Sequence, residues 1–167
     1  MFLLSEILDL PVHALVVHVA VIMVPIAAAA LIATGWRKDW RRHYSLPIAL
    51  FATVGAAASI VAAQSGAWLE TAVRKNATAQ GIHARFGEHP EQGDSAEFFA
   101  IFLAVTALAF WALDRWHDRL KLPSWVPMAG YVVALFPALL ATVTMVIAGH
   151  SGAKLVWKDL GSFAPVT

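Results

Sequence analysis

Four long apolar stretches constrain this chain more than any other feature of its sequence. They cover residues 12–34, 46–69, 98–113 and 125–149, and polar connectors separate them. A helix needs about 20 apolar residues to cross a bilayer, so each stretch has the length of a span, the third being the shortest. We therefore predict an all-α integral membrane protein, a four-helix bundle that forms a single domain over residues 1–167.

The composition agrees with a membrane protein and excludes several classes of site. The chain is 59% hydrophobic and only 14% charged, and its mean hydropathy is +0.66. Its net charge is +1 and the charges lie in short runs between apolar blocks, which argues against a nucleic-acid partner. It has no cysteine, which excludes disulfides, thiol catalysis, iron–sulfur clusters and covalently attached c-type haem. Any redox cofactor would therefore depend on histidine or methionine.

The distribution of Lys and Arg predicts how the bundle is oriented. Seven of the twelve lie in two short connectors, residues 35–44 and 114–124, directly beside the spans. The other five lie in the long connector, residues 70–97, and in the C-terminal tail. Short loops rich in Lys and Arg remain in the cytoplasm. We therefore expect the N-terminus and the C-terminus to be extracytoplasmic.

With this orientation, five of the seven histidines fall in the extracytoplasmic half. His18 lies within the first span, where an unpartnered imidazole is costly, so we expect it to face the bundle interior. His13 lies nearer the interface and about 140° around the helix from His18, so one helix face does not present both. We take His89, which precedes a proline, as an exposed loop residue, and His43 and His117 as interfacial anchors.

A stripe of small residues follows one side of the second helix. Small side chains at helical spacing let another backbone approach closely, and they can also leave room for a flat macrocycle. We predict that the Gly55 and Ser59 face touches another helix. The stripe consists of Ala52, Gly55, Ala56, Ser59, Ala63 and Gly66.

Four segments together resemble a known family. Residues 11–18 read Pro-Val-His-Ala-Leu-Val-Val-His, and Gln64-Ser65-Gly66 is followed by Glu70. Residues 83–88 read His-Ala-Arg-Phe-Gly-Glu, and residues 149–157 read Gly-His-Ser-Gly-Ala-Lys-Leu-Val-Trp. In this order they resemble the motifs of a bacterial family of four-span membrane proteins catalogued as domain of unknown function 2231, although Ala14 stands where that family usually has proline. The resemblance implies a multi-pass protein of the bacterial inner membrane with a histidine pattern, and no settled activity.

Our first functional hypothesis is that the extracytoplasmic end binds haem b for electron transfer, as a subunit of a respiratory assembly. Histidines on different helices of a bundle provide axial ligands without cysteine. Side chains that hydrogen-bond to the ligating histidines would fix the orientation of the rings. The expected ligands and their partners are His18, His83 and His150, with His13, Gln64 and Glu70 beside them.

Two alternatives belong to other classes. The same three histidines, with Glu70 or water, could hold copper or zinc. The protein could also be a non-catalytic accessory subunit whose histidines only join the helix ends. An enzyme is less expected, because we find no nucleophile with a base in a known motif and no phosphate-binding glycine loop. The expected partners are the lipid bilayer and either other membrane subunits or further copies of this chain.

Overall fold

The computed structural model describes the backbone of residues 6, 7 and 10–162 and the side chains of residues 11–157. Two short antiparallel strands, β1 (Glu6–Ile7) and β2 (Leu10–Pro11), precede the helices. The helices are α1 (Val12–Thr34), α2 (Lys38–Ala79), α3 (His89–Trp116) and α4 (Val126–Ser162). All four are long and apolar enough to cross a membrane. The predicted helical membrane fold is confirmed, whereas the side of the membrane that each end faces stays a prediction.

The four helices form a ring in which neighbours in sequence are neighbours in space. Each helix packs against the next, α4 closes against α1, and α1 and α3 lie across the diagonal with little contact. Short connectors make sequential neighbours antiparallel. The starts of α1 and α3 therefore meet the later parts of α2 and α4 at one end, which we call the histidine end. The opposite end, where α2 begins and α3 finishes, is called the basic end.

Helix α3 begins earlier than the sequence led us to expect. Residues 89–97 were predicted to belong to a polar connector, but α3 starts at His89. Pro90 lies in its first turn, where a missing N–H costs nothing, and the acidic Glu91 suits the positive end of the helix dipole. Helix α2 also continues beyond its predicted span to Ala79. The connector at the histidine end is therefore reduced to residues 80–88.

The interior of the bundle consists of small side chains, and many large apolar ones face outwards. Most of the buried hydrophobic residues are alanines. Ile22, Val133 and Phe136, by contrast, are each more than half exposed. Because lipid tails are as apolar as these side chains, burying them inside the protein gains little, and helices associate by close van der Waals packing instead. The surface of the bundle is thus suited to lipid and its interior to tight contact.

Gly55 shows how close two helices come. A Cβ placed on it would lie 2.8 Å from Val24 Cγ2 and 3.2 Å from the Val24 backbone nitrogen of α1. One turn later, the buried Ser59 hydroxyl donates a hydrogen bond of 2.9 Å to Gly55 O. The predicted close contact of this face is confirmed. The stripe of small residues was also compatible with room for a flat macrocycle, but at Gly55 helix α1 occupies that space.

Gly55→Ala should destabilise the bundle. The added methyl group must displace the Val24 side chain and backbone, and overpacking of this kind costs about 1–3 kcal/mol. Thermal unfolding in detergent, followed by helical circular dichroism, measures the effect. Gly93→Ala in α3 is the matched control, because a Cβ there meets nothing within 4 Å. Equal unfolding temperatures for the two variants would show that α1 and α2 are not packed as described.

Candidate functional site

His13 lies in the first turn of α1 and is held by α2. Its Nδ1 lies 2.8 Å from the backbone oxygen of Ala62, and the ring is half-buried. The ring also packs against Gly66, where an added Cβ would come within 3.0 Å of both Cε1 and Nδ1. A carbonyl oxygen only accepts hydrogen bonds, so His13 carries its proton on Nδ1. Position 66 needs a glycine because the His13 imidazole occupies the space that a side chain at this position would fill.

His89 occupies the corresponding position at the start of α3 and is held by α4. Its Nδ1 lies 2.9 Å from Ser151 Oγ, and the Ser151 hydroxyl donates to Ala148 O at 3.0 Å. The hydroxyl hydrogen is thereby engaged, so Ser151 accepts the Nδ1–H of His89. The ring packs against Gly152, where an added Cβ would lie 2.9 Å from Cε1. Both histidines thus rest on a glycine of a neighbouring helix.

The two imidazoles meet at the histidine end and form what we call the histidine pair, His13 and His89. Their ring centroids are 6.3 Å apart and their planes are inclined at 79°. The pair joins α1 to α3, the helices that lie across the diagonal of the bundle. With both protons on Nδ1, each Nε2 keeps a free lone pair. In the described part of the chain neither Nε2 makes a hydrogen bond, and His89 Nε2 lies against α4, 3.3 Å from the position of a Cβ at Gly152.

Two further polar groups lie close to the pair in the fold. Gln92 is one turn after His89 on α3; its Oε1 is buried, and the described residues offer it no hydrogen-bond partner. Its amide nitrogen donates to Glu88 Oε2 at 3.3 Å. Glu70, one turn after Gly66 on α2, is half-buried and forms an ion pair with Arg74 at 2.6 Å. The pair therefore has a carboxylate and an unsatisfied buried acceptor in its neighbourhood.

The structure does not gather the predicted ligands His18, His83 and His150 into one group. All three side chains are exposed, and no cluster of three metal-ligating side chains occurs among the residues described. His18 bonds within its own helix, with Nδ1 2.6 Å from Ala14 O. His83 lies in the connector 80–88, and His150 lies on the outer side of α4. The expectation that His18 faces the interior was wrong, because His13 occupies the inward face about 140° away.

The three remaining predicted site residues, His13, Gln64 and Glu70, differ in their exposure and in their contacts. Gln64 is exposed, while Glu70 is half-buried beside Arg74. Of the six predicted site residues, His13 enters the histidine pair directly. His89 was missed, because the proline after it was taken as the sign of a loop. Proline followed by an acidic residue is also the signature of a helix start, and that signal would have placed His89 in the first turn of α3.

The hydrogen bonds of the pair predict the tautomer of each ring. In nitrogen-15 NMR spectra, His13 and His89 should both show a protonated Nδ1 and an unprotonated Nε2. Ser151→Ala removes the acceptor of His89, so His89 should shift towards the Nε2–H form while His13 keeps its signal. Ser95→Ala, at an exposed position of α3, is the control. An unchanged His89 spectrum in Ser151→Ala would contradict the described hydrogen bond.

The family comparison covers almost the whole chain. The model of the family described as "Predicted membrane protein (DUF2231)" matches residues 9–163, which include all four helices and the histidine pair. No curated protein and no solved structure matches the chain. The resemblance seen in the sequence motifs is thus confirmed, and the chain belongs to the DUF2231 family of predicted membrane proteins.

Proposed function

We propose that this membrane protein binds one haem b through the histidine pair and carries electrons as a subunit of a larger membrane assembly. The observation that supports this is the contact of His13 and His89 across the diagonal of the bundle. Facing helices are where bundles build cofactor sites, and His13 and His89, from different helices, would hold the haem. A haem bound there would supply one-electron redox chemistry.

The separation of the rings suits one metal between them. Two metal–nitrogen bonds of about 2 Å, with roughly 1 Å from each nitrogen to its ring centre, would separate the ring centres of two ligating imidazoles by about 6 Å at most. The centroids of His13 and His89 are 6.3 Å apart. The separation of the rings is therefore compatible with one metal between them, but His89 Nε2 lies 3.3 Å from the position of a Cβ at Gly152, so this ring would have to turn away from α4 to ligate a metal.

The hydrogen bonds of the pair support the same role. Metal-ligating histidines usually donate their second N–H to an oxygen, which fixes the tautomer and makes the ligating nitrogen more basic. Ala62 O does this for His13 and Ser151 Oγ for His89. The Nε2 atoms would then be the ligating atoms, that of His89 after its ring has turned away from Gly152. Gly66 and Gly152 contribute by letting the two rings lie against helix backbones.

Ligation by His18, His83 and His150, of haem or of copper or zinc, stays a prediction. Their exposure favours the histidine pair as the ligand set instead. We further propose that the histidine end is extracytoplasmic and that the membrane is the bacterial inner membrane. This orientation is supported by the arginine-rich connectors, which both lie at the basic end, and by the rule that such connectors stay in the cytoplasm.

Optical spectra of the purified protein, oxidised and then reduced, test the proposal. The full-length chain should show a Soret band that sharpens and shifts on reduction. His13→Ala and His89→Ala should each remove it, because a single remaining histidine holds the iron weakly. His18→Ala and His150→Ala are the matched controls, since these exposed rings lie outside the pair and their loss should leave the spectrum intact.

Metal analysis of the same samples separates the rival functions. The wild-type protein could instead contain one copper or zinc ion per chain and show no Soret band. If this metal is lost in His13→Ala and His89→Ala, the histidine pair binds a metal ion and not haem. A Soret band that is lost in His18→Ala but kept in His13→Ala would support ligation by His18, as in the first hypothesis. It would contradict ligation by the histidine pair. A wild-type protein that takes up neither haem nor metal would favour an accessory subunit whose histidines only join helix ends.

A further inference from the structure

A polar cleft opens at the basic end, far along the bundle from the histidine pair. Its volume is about 460 Å³, within the range of small-ligand sites. The first turns of α2, the last turn of α3, the following turn and the start of α4 line it. Three separate segments of the chain therefore contribute side chains to one opening.

The cleft carries an excess of positive charge. Lys38 and Arg42 line it from α2, and Arg115 and Arg119 line it from the end of α3 and the turn that follows, while its carboxylates are Asp114 and Asp118. In the described part of the chain no carboxylate lies within ion-pair distance of these four cations. Like charges gathered around one opening repel, and an anion bound among them would relieve that repulsion.

A buried ion pair forms the floor of the cleft. Arg41 Nε lies 2.9 Å from Asp114 Oδ1, and the two side chains are only 9% and 13% exposed. Arg41 also donates to Gly35 O at 3.2 Å, at the end of α1. This link fixes the start of α2 against the end of α3. The exposed cations above it are thus presented on a rigid base.

The cleft lies at the level where lipid headgroups are expected. Trp36 and Trp40, both exposed, mark the same end of the bundle, and tryptophan is enriched where the bilayer meets water. Arg37 stacks over both indole rings. The start of α2 adds the positive end of a helix dipole, and its N-cap makes no side-chain hydrogen bond. Basic pockets between helices at this depth recognise anionic headgroups.

We infer that the cleft binds the phosphate headgroup of an anionic membrane lipid. Arg42 from α2 and Arg115 from α3 would contact the phosphate, because a guanidinium binds its oxygens in a bidentate manner. The lipid would fill the opening between α2 and α3 and strengthen the basic end. The site is separate from the histidine pair and does not depend on the proposed function.

Lipid binding to the full-length protein in detergent tests the inference, with bound molecules counted by native mass spectrometry. The wild-type chain should retain one phosphatidylglycerol more tightly than phosphatidylcholine. Arg42→Gln combined with Arg115→Gln should weaken phosphatidylglycerol binding by about thirtyfold, the effect of two basic residues near a membrane surface. Lys75→Gln combined with Arg85→Gln is the charge-matched control at exposed positions outside the cleft, and it should bind like the wild type.

Three outcomes would overturn the inference. Equal retention of phosphatidylglycerol and phosphatidylcholine would show that the headgroup charge is not recognised. Equal weakening in the cleft variant and the control would assign the effect to overall charge. Binding of inorganic phosphate that depends on Arg42 and Arg115, without retention of phosphatidylglycerol, would identify a free anion as the ligand. Both double variants replace exposed side chains, and their helical circular dichroism verifies that they are folded.

Discussion

Close approach of helix backbones is the interaction on which the rest of this structure depends. In lipid, burial of large apolar side chains gives helices little reason to associate, so contact relies on small residues. Alanines fill most of the interior, and Gly55 lets α1 come within van der Waals distance of α2. At the basic end, Gly35 lies directly beneath the ring of Tyr131, whose hydroxyl donates to Ile32 O at 2.8 Å. The bundle is therefore held together by close van der Waals packing more than by the burial of hydrophobic surface.

The same tight packing determines what polar groups can do. Serine and threonine hydroxyls within the spans return their hydrogen bonds to carbonyl oxygens of their own helix, as Ser59 does to Gly55. Polar contacts between helices are concentrated towards the two ends: the histidine pair at one and the Arg41–Asp114 ion pair at the other. At the histidine end the glycines again decide the geometry, because Gly66 and Gly152 give each imidazole a place against a neighbouring helix. The close packing that holds the bundle together therefore also positions the two imidazoles of the candidate site.

The sequence predicts the fold well and the candidate site only in part. Apolar length identifies the four spans, and small residues at helical spacing identify the contact at Gly55. The depth of a histidine in the membrane can also be read from the sequence, but its direction depends on the rotation of the helix. His18 is deeper than His13, yet the inward face of α1 is taken by His13. His89 was missed for a different reason, since the proline that follows it is typical of a loop and equally of the first turn of a helix, which is where the structure places it.

Cross-linking of engineered cysteines tests most directly the central claim that His13 and His89 converge. The chain has no cysteine of its own, so any product comes from the introduced pair. With cysteines at positions 13 and 89, a short thiol-specific cross-linker should join α1 to α3 within one chain in membranes. A cysteine at position 18, on an exposed face about 140° around α1 from position 13, should remain unlinked to a cysteine at position 89 under the same conditions. Rapid linking of 18 to 89 with none between 13 and 89 would contradict the helix rotations on which the site is built.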